Sequence, residues 1–205
     1  MTTTVDGTTG LVIPGTGSLI LTGATSGTVT MVPPAVAGST TLTTPSTTGT
    51  LALTSNAVRQ IVRSTYTSTA SGSTVIPMDN TIPQNTEGDQ FMTATITPVS
   101  ATSTLRIDVL FNGSNSFAGT QSWTLALFQD STANALAANY VTSPGQYFGA
   151  QVPLTYFMTS GTTSATTFKV RAGTQSSGSV QMNTASGGLY GGTWTSFISI
   201  TEYFT

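Results

Sequence analysis

The sequence predicts an all-β protein, and three observations predict it. Residues that fit a pleated, half-buried surface (Thr, Val, Ile, Phe and Tyr) are enriched. Apolar–polar alternation recurs beyond residue 90, most plainly where Leu105, Ile107, Val109 and Phe111 alternate with Arg106 and Asp108. Gly- and Pro-rich turn signals separate these runs at short spacing. With 205 residues, the chain can form one large β domain, or a domain plus an extension.

Residues 1–53 read as a repetitive β shaft or anchoring segment. Short β-prone runs occur at Leu11–Ile13, Ser18–Thr22, Thr28–Val32, Thr40–Thr43 and Thr50–Leu53, with Gly or Pro in nearly every gap. Each run has too few large side chains to make a core alone. As a shaft the segment needs stacked repeats, sister chains or another protein against it; the alternative is a flexible Thr/Gly linker, against which Leu19-Ile20-Leu21 and Leu51-Ala52-Leu53 stand.

Residues 54–64 break this pattern. Thr54 or Ser55 can cap, and Val58, Ile61 and Val62 fall at i, i+3, i+4, with Arg59 and Arg63 together on the other side. This spacing predicts a short helix, a joint between shaft and head.

Residues 65–205 read as a head domain, a β-sandwich or jelly roll of about eight to ten strands. Its expected strands are Phe91–Thr97, Thr104–Phe111, the run through Trp123, Leu125 and Leu127, Tyr147–Met158, Thr166–Ala172, Ser179–Met182 and Thr195–Tyr203. Asn112-Gly-Ser-Asn, Thr142-Ser-Pro-Gly and Ser160-Gly-Thr-Thr read as turns between them. Phe157, Phe168 and Phe197 lie within strands and are assigned to packing.

Charge is scarce: five basic and seven acidic residues, a net charge of −2, no His and no Cys. The Arg59/Arg63 and Lys169/Arg171 pairs do not amount to the basic footprint that nucleic acid or an anionic membrane surface requires. Without Cys, disulfides and thiolate metal sites are excluded. Met1–Asp6 has neither the basic nor the apolar region of a signal peptide, which implies synthesis in a cytosol. No apolar run approaches the ~20 residues that span a bilayer.

Catalytic chemistry is equally restricted. A Ser or Thr nucleophile needs a base, and without His only Lys169 could serve. Glu87 and Asp89, with Asp79 nearby in sequence, are the carboxylates a glycosidase reading would use. The same Glu87 and Asp89, with Asn80 or Asn85, are a weak calcium candidate. Both readings compete with a simple solvated loop. No cofactor is expected, and the chain reads as non-enzymatic. Glu202, set among apolar neighbours, is either an outward solvated residue or, if its strand lines a three-fold axis, in need of a donor, for which Arg106 and Arg171 are the candidates. Tyr140, Tyr147, Phe148, Tyr190 and Trp194, near expected loops or strand ends, are candidates for stacking on saccharide, with packing as the competing role.

Several stretches have a familiar texture. GTVTMVPPAVAGSTTLTTPSTTGTLALTS at 27–55 resembles the N-terminal shaft segments of bacteriophage tail and fibre proteins. LALFQDSTANALAA at 125–138, TTFKVRAG at 166–173 and GGTWTSFISITEY at 191–203 are similar to the closing strands of the small C-terminal sandwich in such virion proteins. The resemblance implies a homotrimer with TNF-like or jelly-roll heads on a slender stalk, anchored to other virion proteins through residues 1–53. The shaft is short for a long tail fibre, which favours a short fibre, a spike or a capsid-surface protein. Host attachment, including saccharide binding by the head, is then the expected role. A capsid decoration or head-fibre protein without a receptor, and a polysaccharide-degrading spike, are the alternatives.

Overall fold

The computed structural model describes residues 19–22, 28–31, 57–187 and 189–204, the first two ranges by their backbone. The chain divides into two compact units, 1–51 and 52–205. In the first, β1 (Leu19–Thr22) and β2 (Thr28–Met31) form an antiparallel hairpin in which Leu19 lies opposite Met31 and Thr22 opposite Thr28. These strands fall within two of the five runs expected in the shaft. The runs Leu11–Ile13, Thr40–Thr43 and Thr50–Leu53 lie outside the described residues.

The second unit is all-β, with ten strands in two sheets. They are β3 (Val58–Tyr66), β4 (Ala70–Gly72), β5 (Asp89–Ile96), β6 (Thr104–Asn115), β7 (Gln121–Gln129), β8 (Ala137–Ser143), β9 (Ala150–Thr159), β10 (Thr166–Thr174), β11 (Val180–Met182) and β12 (Ser196–Tyr203). One sheet runs β5-β10-β7-β8. The other is built around β6. Strand β9 pairs along one edge of β6 from Thr104 to Gly113. The opposite edge is shared, with β12 pairing Thr104–Leu110 and β11 pairing Gly113–Asn115. Beyond these, β3 pairs with β12 and β4 with β11. All these pairings are antiparallel. Among the described residues there is no α-helix, and none long and apolar enough to cross a membrane.

The core lies between the sheets, where the period of two in each strand delivers its apolar residues. Leu105, Ile107, Val109 and Phe111 of β6 face Trp123, Leu125 and Leu127 of β7 and Phe168 and Val170 of β10, and all are buried. Phe111 reaches across the gap. Its ring meets Phe91 edge-on with centroids 5.4 Å apart, and Trp123 at 5.6 Å. Each fully buried side chain of this size contributes about 1.5–3 kcal/mol.

The helix expected over 54–64 is not formed in its described part. From Val58 the chain is strand, paired with β12. Val62 lies opposite Ile200 and faces the core, whereas Ile61 lies opposite Thr201 and faces out. A helix of this length is marginal alone. Pairing with β12 across eight positions, from Val58 to Tyr66, outcompetes it. Arg59 and Arg63, four apart, still share a side, because an even spacing repeats on a strand too.

Asn112-Gly113-Ser114-Asn115 also departs from expectation. It continues β6 instead of forming a turn. A Cβ at Gly113 would lie 2.5 Å from the Phe111 ring and 2.6 Å from the Gln181 carbonyl oxygen, so glycine allows β11 to approach. A buried hydrogen-bond chain starts from the backbone here. Asn112 N–H donates to Ser196 Oγ at 2.9 Å, and Ser196 Oγ donates to Asn183 Oδ1 at 2.7 Å. Asn183 Nδ2 then donates to the carbonyls of Tyr66 and Ser68. This chain ties β3, β6 and β12 together.

The long β4–β5 connection, residues 73–88, folds over the outer face of the β5-β10-β7-β8 sheet. Ile76 is buried there against Ala126 and Phe128, the outward residues of β7. Ile76 N–H donates to Thr174 O at 3.0 Å, and Ala135 N–H to Pro83 O at 2.9 Å. Arg171 clamps the return of the loop, with Nε donating to Glu87 O at 2.8 Å and Nη2 to Gly88 O at 2.6 Å.

Candidate functional site

Register fixes which residues share an end of the sandwich. Tyr203 pairs near Val58 and Phe204 N–H donates to Ala57 O at 2.9 Å, so both chain ends of the head lie together. Ser196 pairs with Tyr66 at the opposite end, as do the start of β9 and the end of β6. That far end carries four of the five nominated aromatics. Tyr147 and Phe148 sit in the β8–β9 connection, and Tyr190 and Trp194 in the segment before β12.

The far end is built rather than merely loose. Tyr147 N–H donates to Asn115 O at 2.7 Å, and Gln146 Nε2 to Ser116 O at 2.8 Å. A Cβ added at Gly149 would stand 3.2 Å from the Trp194 ring, which therefore lies against that backbone. Tyr147 and Tyr190 both hold positive φ, at 58° and 51°, an uncommon conformation for a large side chain. Phe148 is exposed and Tyr190 is 76% exposed, while Tyr147 and Trp194 are half-buried.

Tyr140 is separate from this group. It lies on the outer face of β8, opposite Thr124 of β7, and is 57% exposed. Together with Pro77, Met78, Asp79 and Thr81 of the covering loop it lines a cleft of about 320 Å³. A second hollow of about 350 Å³, lined by Ile82, Leu136 and Ala137, continues past Thr81 and Pro83.

The other sheet presents a different surface. Its outward residues include Val58, Ile61, Phe157 and Phe204, all exposed, with Ile61 at 61% and Phe157 at 57%. Phe157 is thus an outer-face residue and not core packing, whereas Phe168 is fully buried. Three arginines lie on this side, each over an aromatic ring. Arg59 is 4.1 Å from the Phe204 centroid, Arg63 4.2 Å from Phe197 and Arg106 5.7 Å from Phe157. Arg106 Nε also pairs with Asp108 Oδ2 at 2.9 Å, and Thr155 Oγ1 donates to Asp108 Oδ1 at 2.8 Å.

The carboxylate candidates do not converge. Glu87 Oε2 accepts from Gln84 N–H at 2.9 Å, closing its own turn. Asp89 accepts from Thr74 N–H at 2.8 Å and Thr74 Oγ1 at 3.0 Å. Glu87 and Asp89 thus accept from different segments of the chain. Asp79 Oδ1 takes both Thr81 N–H and Thr81 Oγ1, and those bonds, the hydroxyl first, hold its carboxyl below the usual range. Among the described residues no three Asp, Glu, His or Cys side chains gather into a metal-holding group. Lys169 Nζ donates to Asp130 O at 2.8 Å.

Glu202 finds donors other than the arginines expected from the sequence. It lies opposite Leu105 and Gln60, so it points inward, while Arg106 points out. It is 0% exposed, and accepts from Val99 N–H at 2.9 Å, Ser100 N–H at 3.3 Å and Gln60 Nε2 at 2.5 Å. Burial pushes its carboxyl up. The bonds from Gln60 and the two backbone N–H groups, with the Ser103 hydroxyl beside them, outweigh that and leave it below the usual range. This is a structural latch that holds the β5–β6 turn onto the sheet.

No protein-family model matches the chain, and no curated protein matches it. The functional reading therefore rests on the residues themselves.

Proposed function

We propose that this chain is a non-enzymatic bacteriophage structural protein. It forms a homotrimeric short fibre or spike, held on the virion by residues 1–53, and displays a jelly-roll head for attachment to the host surface.

The observation that carries the reading is the open outer face of the β9-β6-β12-β3 sheet. Ile61, Phe157, Val58 and Phe204 are exposed together on a chain with few apolar residues to spare. Ile61 and Phe157 lie on one row across the sheet, with Thr201 and Arg106 between them, and large apolar side chains left open on one face mark an association surface. Its three arginines lie over aromatic rings, a pairing that suits a closed interface. A sister copy is the partner this face fits, because its cations pair with rings and with Asp108 instead of awaiting an acidic partner.

The strand order supports the jelly-roll part. Let β3, β5, β6, β7, β8, β9, β10 and β12 be A to H. The observed pairs then include A with H, B with G, C with F and D with E, the rungs of one long hairpin rolled upon itself. The remaining pairs, H with C and G with D, join the rungs into two sheets. The far-end aromatics support display, since they lie opposite the end where the chain enters the head.

Light scattering on the full chain tests the reading, with a three-chain mass expected. Ile61→Asp should yield a folded monomer. A wild-type monomer would overturn the trimer, and electron microscopy of virions labelled for this chain would overturn the virion assignment if particles stayed bare.

A further inference from the structure

We propose that the cleft between β8 and the 77–83 segment is a binding site for neutral oligosaccharide. As a receptor site it rests on the attachment reading above, but its chemistry belongs to the head alone.

Three features specify the ligand. First, the floor and wall are apolar but not enclosed. Tyr140 offers an exposed ring, Met78, also exposed, lines the same cleft, and exposed Ile82 lines the adjoining hollow. A pyranose has one such apolar C–H face to lay on an aromatic ring, and its rim of hydroxyls stays wet. Second, Asp79 supplies an acceptor that is already oriented. Both bonds from Thr81 fall on Oδ1, which fixes the carboxylate and leaves Oδ2 for a ligand. A fixed carboxylate accepting from sugar hydroxyls makes the stronger, charge-assisted kind of hydrogen bond. Third, the sign of the charge selects among sugars. Asp79 is the sole charged group lining the cleft, with no Lys or Arg beside it. Sialic or uronic acids would meet a carboxylate without a cation to pair with, and neutral sugars would not.

Size and shape agree. A volume of about 320 Å³ lies at the lower end of the roughly 300–1,000 Å³ usual for ligand clefts, and suits a short saccharide over a large cofactor. The neighbouring hollow shares Thr81, Pro83 and Ala138 with the first, so the groove continues along β8 and can take a linear chain.

The full-length chain should be applied to an array of neutral gluco-, galacto-, manno- and N-acetylglucosamine oligosaccharides beside sialylated and uronate-containing ones, and hits titrated by calorimetry. Binding to at least one neutral glycan is expected. Tyr140→Ala should weaken it about tenfold or more, the range of a central aromatic contact. Asp79→Asn should weaken it too, while Tyr140→Phe keeps it. Melting curves for each variant control for folding, and Met78→Ala offers a second route should Tyr140→Ala be unstable. No bound neutral glycan, a preference for acidic glycans, or binding indifferent to Tyr140→Ala and Met78→Ala would each overturn the site. Light scattering separates the two proposals. A monomer that binds neutral glycan through Tyr140 keeps the cleft and removes the trimer, and a trimer that binds none does the reverse.

Discussion

The two sheets of the head treat their outer faces in opposite ways. The β5-β10-β7-β8 sheet is roofed by its own chain, with Ile76 set onto Ala126 and Phe128 and the return of the loop clamped by Arg171. The β9-β6-β12-β3 sheet also carries apolar side chains outward, yet Ile61, Val58 and Phe157 stay exposed. Apolar area left open is stabilisation left unused, at roughly 25 cal/mol per Å². The contrast teaches that this chain spends its long loop on one face and leaves the other open.

The largest expected effect lies under the roof. Phe128→Ala should cost about 3–5 kcal/mol, as a large buried aromatic does, and urea unfolding would measure it. The matching change on the open face, Phe157→Ala, should leave the isolated head within about 0.5 kcal/mol of wild type. Equal losses at the two positions would erase the distinction between the faces.

Removing the clamp is the next test. Arg171→Ala deletes the charged donor to Glu87 O and Gly88 O and should cost about 1.5–3 kcal/mol. Faster hydrogen exchange confined to residues 73–88 would mark the roof as the part released. Exchange spread evenly over both sheets would show that the clamp is not local.

Glu202 probes the end of the open sheet. Glu202→Ala leaves the Val99 and Ser100 N–H groups and the Gln60 amide without their acceptor, a loss of about 1–3 kcal/mol. Its acid dependence has a definite sign. The folded carboxyl lies below its ordinary value of 4.5, so the stability it adds is present above that value. That stability is lost as the pH falls through the folded value. Glu202→Gln should therefore flatten the decline in melting temperature below pH 4.5. An unchanged decline would assign it to other carboxylates.

The smallest effect should be that of salt. Exposed charges are screened within about 3 Å at 1 M, and the open face relies on apolar area and on arginines stacked over rings. The proposed trimer should persist at ~1 M salt, and dissociation there would recast its interface as ionic.

Much of the fold was legible where alternation was strong. Leu105 to Phe111 announces β6, and Trp123, Leu125 and Leu127 announce β7, because large apolar side chains at period two leave little choice of face. Legibility failed where the pattern was ambiguous. Val58, Ile61 and Val62 satisfy a helical spacing, and only pairing with β12 reveals that Ile61 points outward. Strand β8 escaped notice because Ala137, Ala138 and Asn139 carry almost no hydrophobic contrast. The candidate site was legible only in pieces. Tyr140 stands out as an aromatic, but nothing local announces that Asp79 and Met78, some sixty residues earlier, cross above it.

The hydrogen bond between Phe204 and Ala57 has a practical corollary for engineering. A reporter or affinity tag placed after Phe204 would emerge beside Ala57, where the polypeptide enters the head. Cargo meant to be shown to the outside belongs instead in the connection holding Gly145, where a Cβ would meet nothing within 4 Å.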